Sequence, residues 1–167
     1  MVEITFRRRG KHLKKNDFVV RFAGEGGQGV VTSAEGLAQA MSQSGYYVQT
    51  FSTFPSQIRG GPTWTQTRIS TEEVLSSGDE LDVLVAFNEY AYENHKDEVA
   101  EDGVIVFNSG EFEIDASENV LGMDFDELAK KTGNNRAANF VVMGALSQLV
   151  DLSLYVIENF NRELYTR

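Results

Sequence analysis

An apolar run, a glycine cluster and a helical pattern follow one another without a break between Phe18 and Gly45. Phe18, Val19, Val20 and Phe22 read as a buried strand over residues 17–23, and Gly24-Glu25-Gly26-Gly27-Gln28-Gly29 follows at once. Val30, Ala34, Leu37, Ala38 and Met41 then recur on one helical face over residues 29–44, with Gly45 where a C-terminal glycine belongs. A strand delivered into a helix by a glycine turn points to an α/β fold. It also suggests a chemistry. Glycines let the backbone turn tightly and approach a ligand closely, and the unpaired amides at a helix start point toward an anion. A tight strand–helix turn without a ligand has the same appearance.

Gly24, Gly26 and Gly29 satisfy the dinucleotide-binding spacing. That fingerprint expects an acid ~20 residues later to hold the ribose hydroxyls. Residues 36–71 contain no Asp or Glu at all, where about five are expected from the chain average. NAD binding is therefore disfavoured, and NADP survives only with Arg59 on a 2′-phosphate. The same acid-free stretch holds Arg59 and Arg68. It reads either as a surface for an anionic ligand or acidic partner, or as two buried strands that exclude charge.

Strands are expected at residues 46–53, 63–70, 81–87, 103–107 and 119–123, and helices at 89–100, 124–132, 136–150 and 153–165. Alternating strands and helices predict a three-layer α/β/α sandwich around a mostly parallel, Rossmann-like sheet with at least one antiparallel strand. The 167 residues fit one domain, residues 18–167, preceded by a basic arm at 1–17. The last predicted helix runs almost to Arg167 without a stop signal, so the polypeptide is expected to continue.

Charge and cysteine content narrow the function. Residues 1–17 carry six Lys/Arg against Glu3 and Asp17, leaving nine basic and 23 acidic residues, or −14, for the remainder. So acidic a body is a poor nucleic-acid binder. The arm is expected to be a solvated tail or a subunit-docking segment. With no cysteine, the chain cannot hold a disulfide, a thiolate metal site or a cysteine-ligated iron–sulfur cluster. No apolar run approaches the ~18 residues of a membrane span; the location expected for the chain is cytoplasmic. His12 and His95 suggest neither metal spacing nor a triad, and no catalytic residue stands out.

Other binding candidates lie in loops. Arg59 beside Gly60 and Gly61 offers a planar fork of donors to phosphate or carboxylate with room for close approach. Asn135, Arg136 and Asn139 begin a helix, where asparagine caps well and an arginine opposes the dipole unless an anion compensates. Asn88 and Asn108 each follow a predicted parallel strand, the edge at which open α/β sheets bind ligands.

Taken together, Phe22-Ala-Gly-Glu-Gly-Gly-Gln-Gly-Val-Val-Thr32, Thr53-Phe-Pro-Ser-Gln-Ile-Arg-Gly-Gly-Pro62, Asp82-Val-Leu-Val-Ala-Phe87 and Asn135-Arg-Ala-Ala-Asn139 occur in order. In this the chain strongly resembles the gamma subunit or gamma domain of 2-oxoacid:ferredoxin oxidoreductases, the pyruvate, 2-oxoglutarate and ketoisovalerate synthase group, over residues 18–165. The Ile-Arg-Gly-Gly-Pro form is closest to members in which gamma is fused ahead of alpha. The resemblance implies a complex that converts a 2-oxoacid and coenzyme A to acyl-CoA, CO2 and reduced ferredoxin. It implies thiamine diphosphate, Mg2+ and iron–sulfur clusters in alpha, beta and ferredoxin-like delta partners, with ferredoxin as acceptor. It implies a gamma domain, inactive alone, that covers the active site and receives coenzyme A. Gly24, Gly26, Gly27, Gln28 and Gly29 match the family's first loop, Arg59, Gly60 and Gly61 its second, and Asn135, Arg136 and Asn139 its late helix start. The first two loops are expected to meet as a pyrophosphate cradle or alpha-subunit contact. The related indolepyruvate:ferredoxin oxidoreductase subunit and a stand-alone NAD(P)-binding protein are the alternatives.

Overall fold

A computed structural model describes residues 4–8, 11–54, 60–115, 119–131, 133, 137–149, 158 and 162, with side chains from Lys15 onward. In chain order the elements are β1 (Ile4–Arg8), β2 (Lys11–Lys15), β3 (Asp17–Glu25), α1 (Val30–Gln43), β4 (Tyr47–Thr53), β5 (Pro62–Ser70), β6 (Leu81–Ala86), α2 (Glu89–His95), β7 (Val99–Asn108), β8 (Val120–Met123), α3 (Phe125–Lys131) and α4 (Ala138–Leu149).

Six strands form one sheet in the order β4-β5-β3-β6-β7-β8. β3, β6, β7 and β8 are parallel neighbours, while β5 runs against both β3 and β4. The expected mostly parallel sheet is thus present, with β5 as its reversed strand. Alternation along β3 explains why it lies at the centre. Phe18, Val20 and Phe22 face α1, α3 and α4, burying against Leu37, Met41, Phe125, Val142 and Leu146. Val19 and Ala23 face the other way, toward Leu84, Ala86, Ala91, Phe107 and Phe112. Both faces of the strand are dry, so its pattern is continuous and not alternating. Each large side chain buried here contributes about 1.5–3 kcal/mol.

The second face also buries a charge. Arg21, 5% exposed, donates through Nε and Nη2 to Gln66 Oε1 at 3.0 and 2.6 Å and through Nη1 to Glu98. Nη1 also lies 2.9 Å from His95 Nδ1, and the guanidinium sits 4.3 Å from the Trp64 ring centre. His95 Nδ1 also lies 3.0 Å from Glu98 Oε1, so Arg21, His95 and Glu98 form one hydrogen-bonded cluster. Burial opposes the Glu98 charge, but its hydrogen bonds to Arg21 and His95 outweigh this and hold its carboxyl below the ordinary glutamate range.

Four sequence expectations change. Residues 4–8 and 11–15 pair antiparallel, β1 on β2, where no strand was expected, because charges interrupt the apolar signal. At the end of β2, Lys15 pairs with Asp82 and, at 3.2 Å, with Asp102. The helix expected over 89–100 ends at His95. A 3-10 turn over Lys96–Glu98 follows, and β7 begins at Val99, paired with Leu81. The polar Glu101 and Asp102 disguised that end of the strand. Gly24 lies within β3, opposite Thr63, and not in the turn. The helix expected at 153–165 lies almost wholly outside the described residues. Among those residues no helix is long and apolar enough to cross a membrane.

Candidate functional site

β3 delivers the chain to the carboxyl end of the parallel strands, and α1 carries it away. Gly29 turns the corner with φ 90°, a left-handed conformation that side chains rarely adopt, and α1 begins without a side-chain cap. No acid stands in its first turn. Gly27 is also left-handed, at φ 99°.

Gln28 fixes the turn. Its Oε1 accepts from the Glu25 amide at 2.7 Å and from Asn88 Nδ2 at 3.0 Å, while its own amide donates to Glu25 O at 3.1 Å. Asn88 in turn caps α2, accepting from the Ala91 amide at 2.9 Å. The glycine turn and the α2 start are therefore one hydrogen-bonded unit. Gly24 is required by this arrangement, since a Cβ there would lie 2.6 Å from Gln28 Oε1 and 2.9 Å from Phe87 Cβ.

The late helix closes on the same turn. Asn139, in the first turn of α4, accepts from Ser33 Oγ at 3.1 Å, and its Oδ1 would stand 2.1 Å from a Cβ on Gly29. The second glycine pair arrives from β5: the Gly26 amide donates to Gly61 O at 3.3 Å, and Gly60 and Gly61 both have positive φ. Asn108, 4% exposed at the end of β7, accepts from the Gly110 and Phe125 amides at 3.3 and 3.0 Å and so organises the start of α3.

These pieces surround a cavity of about 610 Å3, lined by residues 25–32 together with Thr63, Phe87, Asn108, Glu111, Phe125, Asp126, Ala138 and Asn139. That is within the range of small-molecule sites. Gly26, Gly27, Gln28, Gly29, Asn108 and Asn139 converge on it, whereas Gly24 and Asn88 stand behind it as supports. Gly60 and Gly61 touch its glycine wall. Arg59, Asn135 and Arg136 lie outside the described residues. Sequence reasoning missed Glu25, Glu111 and Asp126, three carboxylates on the rim, and Ser33, which holds Asn139; none belongs to a recognisable spacing. Among the described lining residues there is no Lys or Arg, so the backbone amides supply the positive potential there. No grouping of three His, Asp or Glu suited to a metal occurs among the described residues.

A family model described as pyruvate ferredoxin/flavodoxin oxidoreductase matches residues 19–167. Ketoisovalerate oxidoreductase subunit VorA of Methanothermobacter marburgensis is 34% identical over 133 residues, 78% of this chain and 28% of that protein. Pyruvate synthase subunit PorC of Methanothermobacter thermautotrophicus is 33% identical over 138 residues, 80% of this chain and 76% of that protein. Among solved structures, the 2-oxoglutarate:ferredoxin oxidoreductase of Magnetococcus marinus, with 2-oxoglutarate, coenzyme A and succinyl-CoA bound, superposes with a TM-score of 0.81 at 36% identity. It covers 91% of this chain and 27% of that one. The chain thus spans little more than a quarter of VorA, and about three quarters of PorC.

Proposed function

The chain belongs to the pyruvate ferredoxin/flavodoxin oxidoreductase family, and on that premise we propose that it is the accessory gamma domain of a 2-oxoacid:ferredoxin oxidoreductase working in the cytoplasm. The complex converts a 2-oxoacid and coenzyme A to acyl-CoA and CO2, and its electrons leave to ferredoxin. The observation that carries this reading is the cavity at the glycine turn, in a chain whose fold and sequence match an oxidoreductase with coenzyme A bound.

This chain's part is to hold and shield. Gln28 and Asn139 clamp the turn, so the backbone amides at the start of α1 are presented as a fixed set of donors with little reorganisation on binding. The three rim carboxylates disfavour a phosphate resting on the described wall alone. Arg59 and Arg136 from this chain, or cations of the alpha partner, supply the positive charge that completes the site. Thiamine diphosphate with Mg2+ and the iron–sulfur clusters belong to alpha, beta and delta-type partners, consistent with a chain that has no cysteine. Residues 18–167 make this domain, and 1–17 precede it as a basic arm.

The test is isolation from the native source with this chain as bait. Recovery of a thiamine-diphosphate protein and an iron–sulfur protein, with dye reduction that requires both a 2-oxoacid and coenzyme A, is the expected result and identifies the 2-oxoacid. Recovery of the chain alone, from an extract containing such proteins, together with nicotinamide nucleotide binding, would replace this reading with a free dinucleotide-binding protein.

A further inference from the structure

We propose that the outer edge of β4 is a self-association surface, at which a second copy of this chain adds its own β4 antiparallel and joins the two sheets. Among the described residues no strand pairs with that edge, since β4 ends the sheet order. Edge strands are ordinarily protected by charge, proline, bulges or brevity. Tyr47-Val-Gln-Thr-Phe-Ser-Thr53 has none of these: seven residues, no Asp, Glu, Lys, Arg or Pro, and unbroken register against β5. It presents a strand edge about 24 Å long.

The side chains show the same unfinished state. Tyr47 is 51% exposed, Phe51 52% and Phe54, just beyond the strand, 65%. Tyr47 and Phe51 share the face of β4 whose cross-strand neighbours are Ser70 and Gln66, and Phe51 stacks on Trp64 at 5.5 Å. On that face Gln49 Oε1 is buried without a hydrogen-bond donor among the described residues. Three half-exposed aromatics per copy leave on the order of 100 Å2 each to bury. The aromatics of two copies thus provide about half of the ~1,200 Å2 that the smaller stable interfaces bury, before the strand backbone is counted.

Charge selects the occupant. The chain carries −10, so two copies repel over most of their surface. β4 lies in the 36–71 stretch that has no acid, and it has no cation to attract an acidic partner. It is therefore a surface at which two identical chains meet with little repulsion. A two-fold antiparallel pairing centred on Thr50 sets Phe51 of one copy opposite Gln49 of the other and Tyr47 opposite Thr53. Every such pair is uncharged, and each copy's Gln49 gains a neighbouring strand.

The experiment is sedimentation velocity on the full-length polypeptide across the micromolar range. The native chain is expected to shift from one copy to two with concentration. Phe51→Lys places a charge on the edge and is expected to weaken association by about tenfold or more. Tyr90→Lys, an equally exposed aromatic on α2 (56%), leaves association unchanged. Circular dichroism confirms that each variant is folded; should Phe51→Lys unfold, Gln49→Lys replaces it. A native chain that stays single throughout the range, or a dimer indifferent to both β4 charges, overturns the proposal.

Discussion

Gly29 and Gly27 share a left-handed backbone but differ in surroundings, and this difference yields a test. Among the described residues a Cβ on Gly27 meets nothing within 4 Å, whereas one on Gly29 runs into Asn139 Oδ1 at 2.1 Å. Gly27→Ala is expected to cost about 1–3 kcal/mol, the range for a strained backbone. Gly29→Ala is expected to cost more and to displace α4 from the turn. Denaturant midpoints of the two variants check the order; equal losses would mean that Asn139 does not press on the turn. Gln28→Ala deprives the Glu25 amide and Asn88 Nδ2 of their acceptor. It is expected to lower stability by about 0.5–1.5 kcal/mol, the net worth of hydrogen bonds that water can partly replace, measured the same way.

At the scale of elements, an ion cluster adds to the apolar packing that joins β3, α2 and β7. Arg21 on β3 reaches Glu98, in the turn that separates α2 from β7. A carboxyl held below its ordinary pKa in the folded state stabilises the protein above the unfolded-state pKa. That contribution disappears as pH falls through the lower, folded value. Native protein is therefore expected to exceed Glu98→Gln in stability at neutral pH, with the difference closing in acid below the ordinary glutamate range. Chemical denaturation of both proteins across that window checks it; a difference that persists in acid would assign the effect to packing. Glu98 is 43% exposed on its side chain, so solvent screens the pair and the effect is modest.

Over the whole molecule, the sequence was legible where physics is local. β3, α1 and β6 follow from dry apolar runs, one-faced periodicity and glycine punctuation. β5 as a strand follows from its alternation, though nothing local announced its position between β4 and β3. The candidate site was legible through its glycines and through Asn139, which matches the family's late helix start. It was illegible where partners are far apart in the chain: Ser33 meets Asn139 across 106 residues, and Glu111 and Asp126 reach the rim through turns without a pattern. Asn88 and Asn108 lie at the predicted strand ends, yet their carboxamides serve as caps, a use no spacing reveals. The strand pair at the N-terminus was hidden by its charges. The central claim is that the glycine turn is this chain's contribution to the chemistry of the assembled enzyme, and Gly26 tests it most directly. Gly26 lines the cavity, and a Cβ there meets Gly60 only at ordinary contact distance, 3.8 Å. Gly26→Ala is therefore expected to leave the fold intact while adding a methyl group to the glycine wall of the cavity. The measurement is the coenzyme A dependence of 2-oxoacid oxidation by the purified complex carrying this variant. The account predicts a KM for coenzyme A raised by about tenfold or more, a loss of roughly 1.4 kcal/mol of binding, with the 2-oxoacid KM unchanged. An unaltered coenzyme A KM in an intact complex would contradict it.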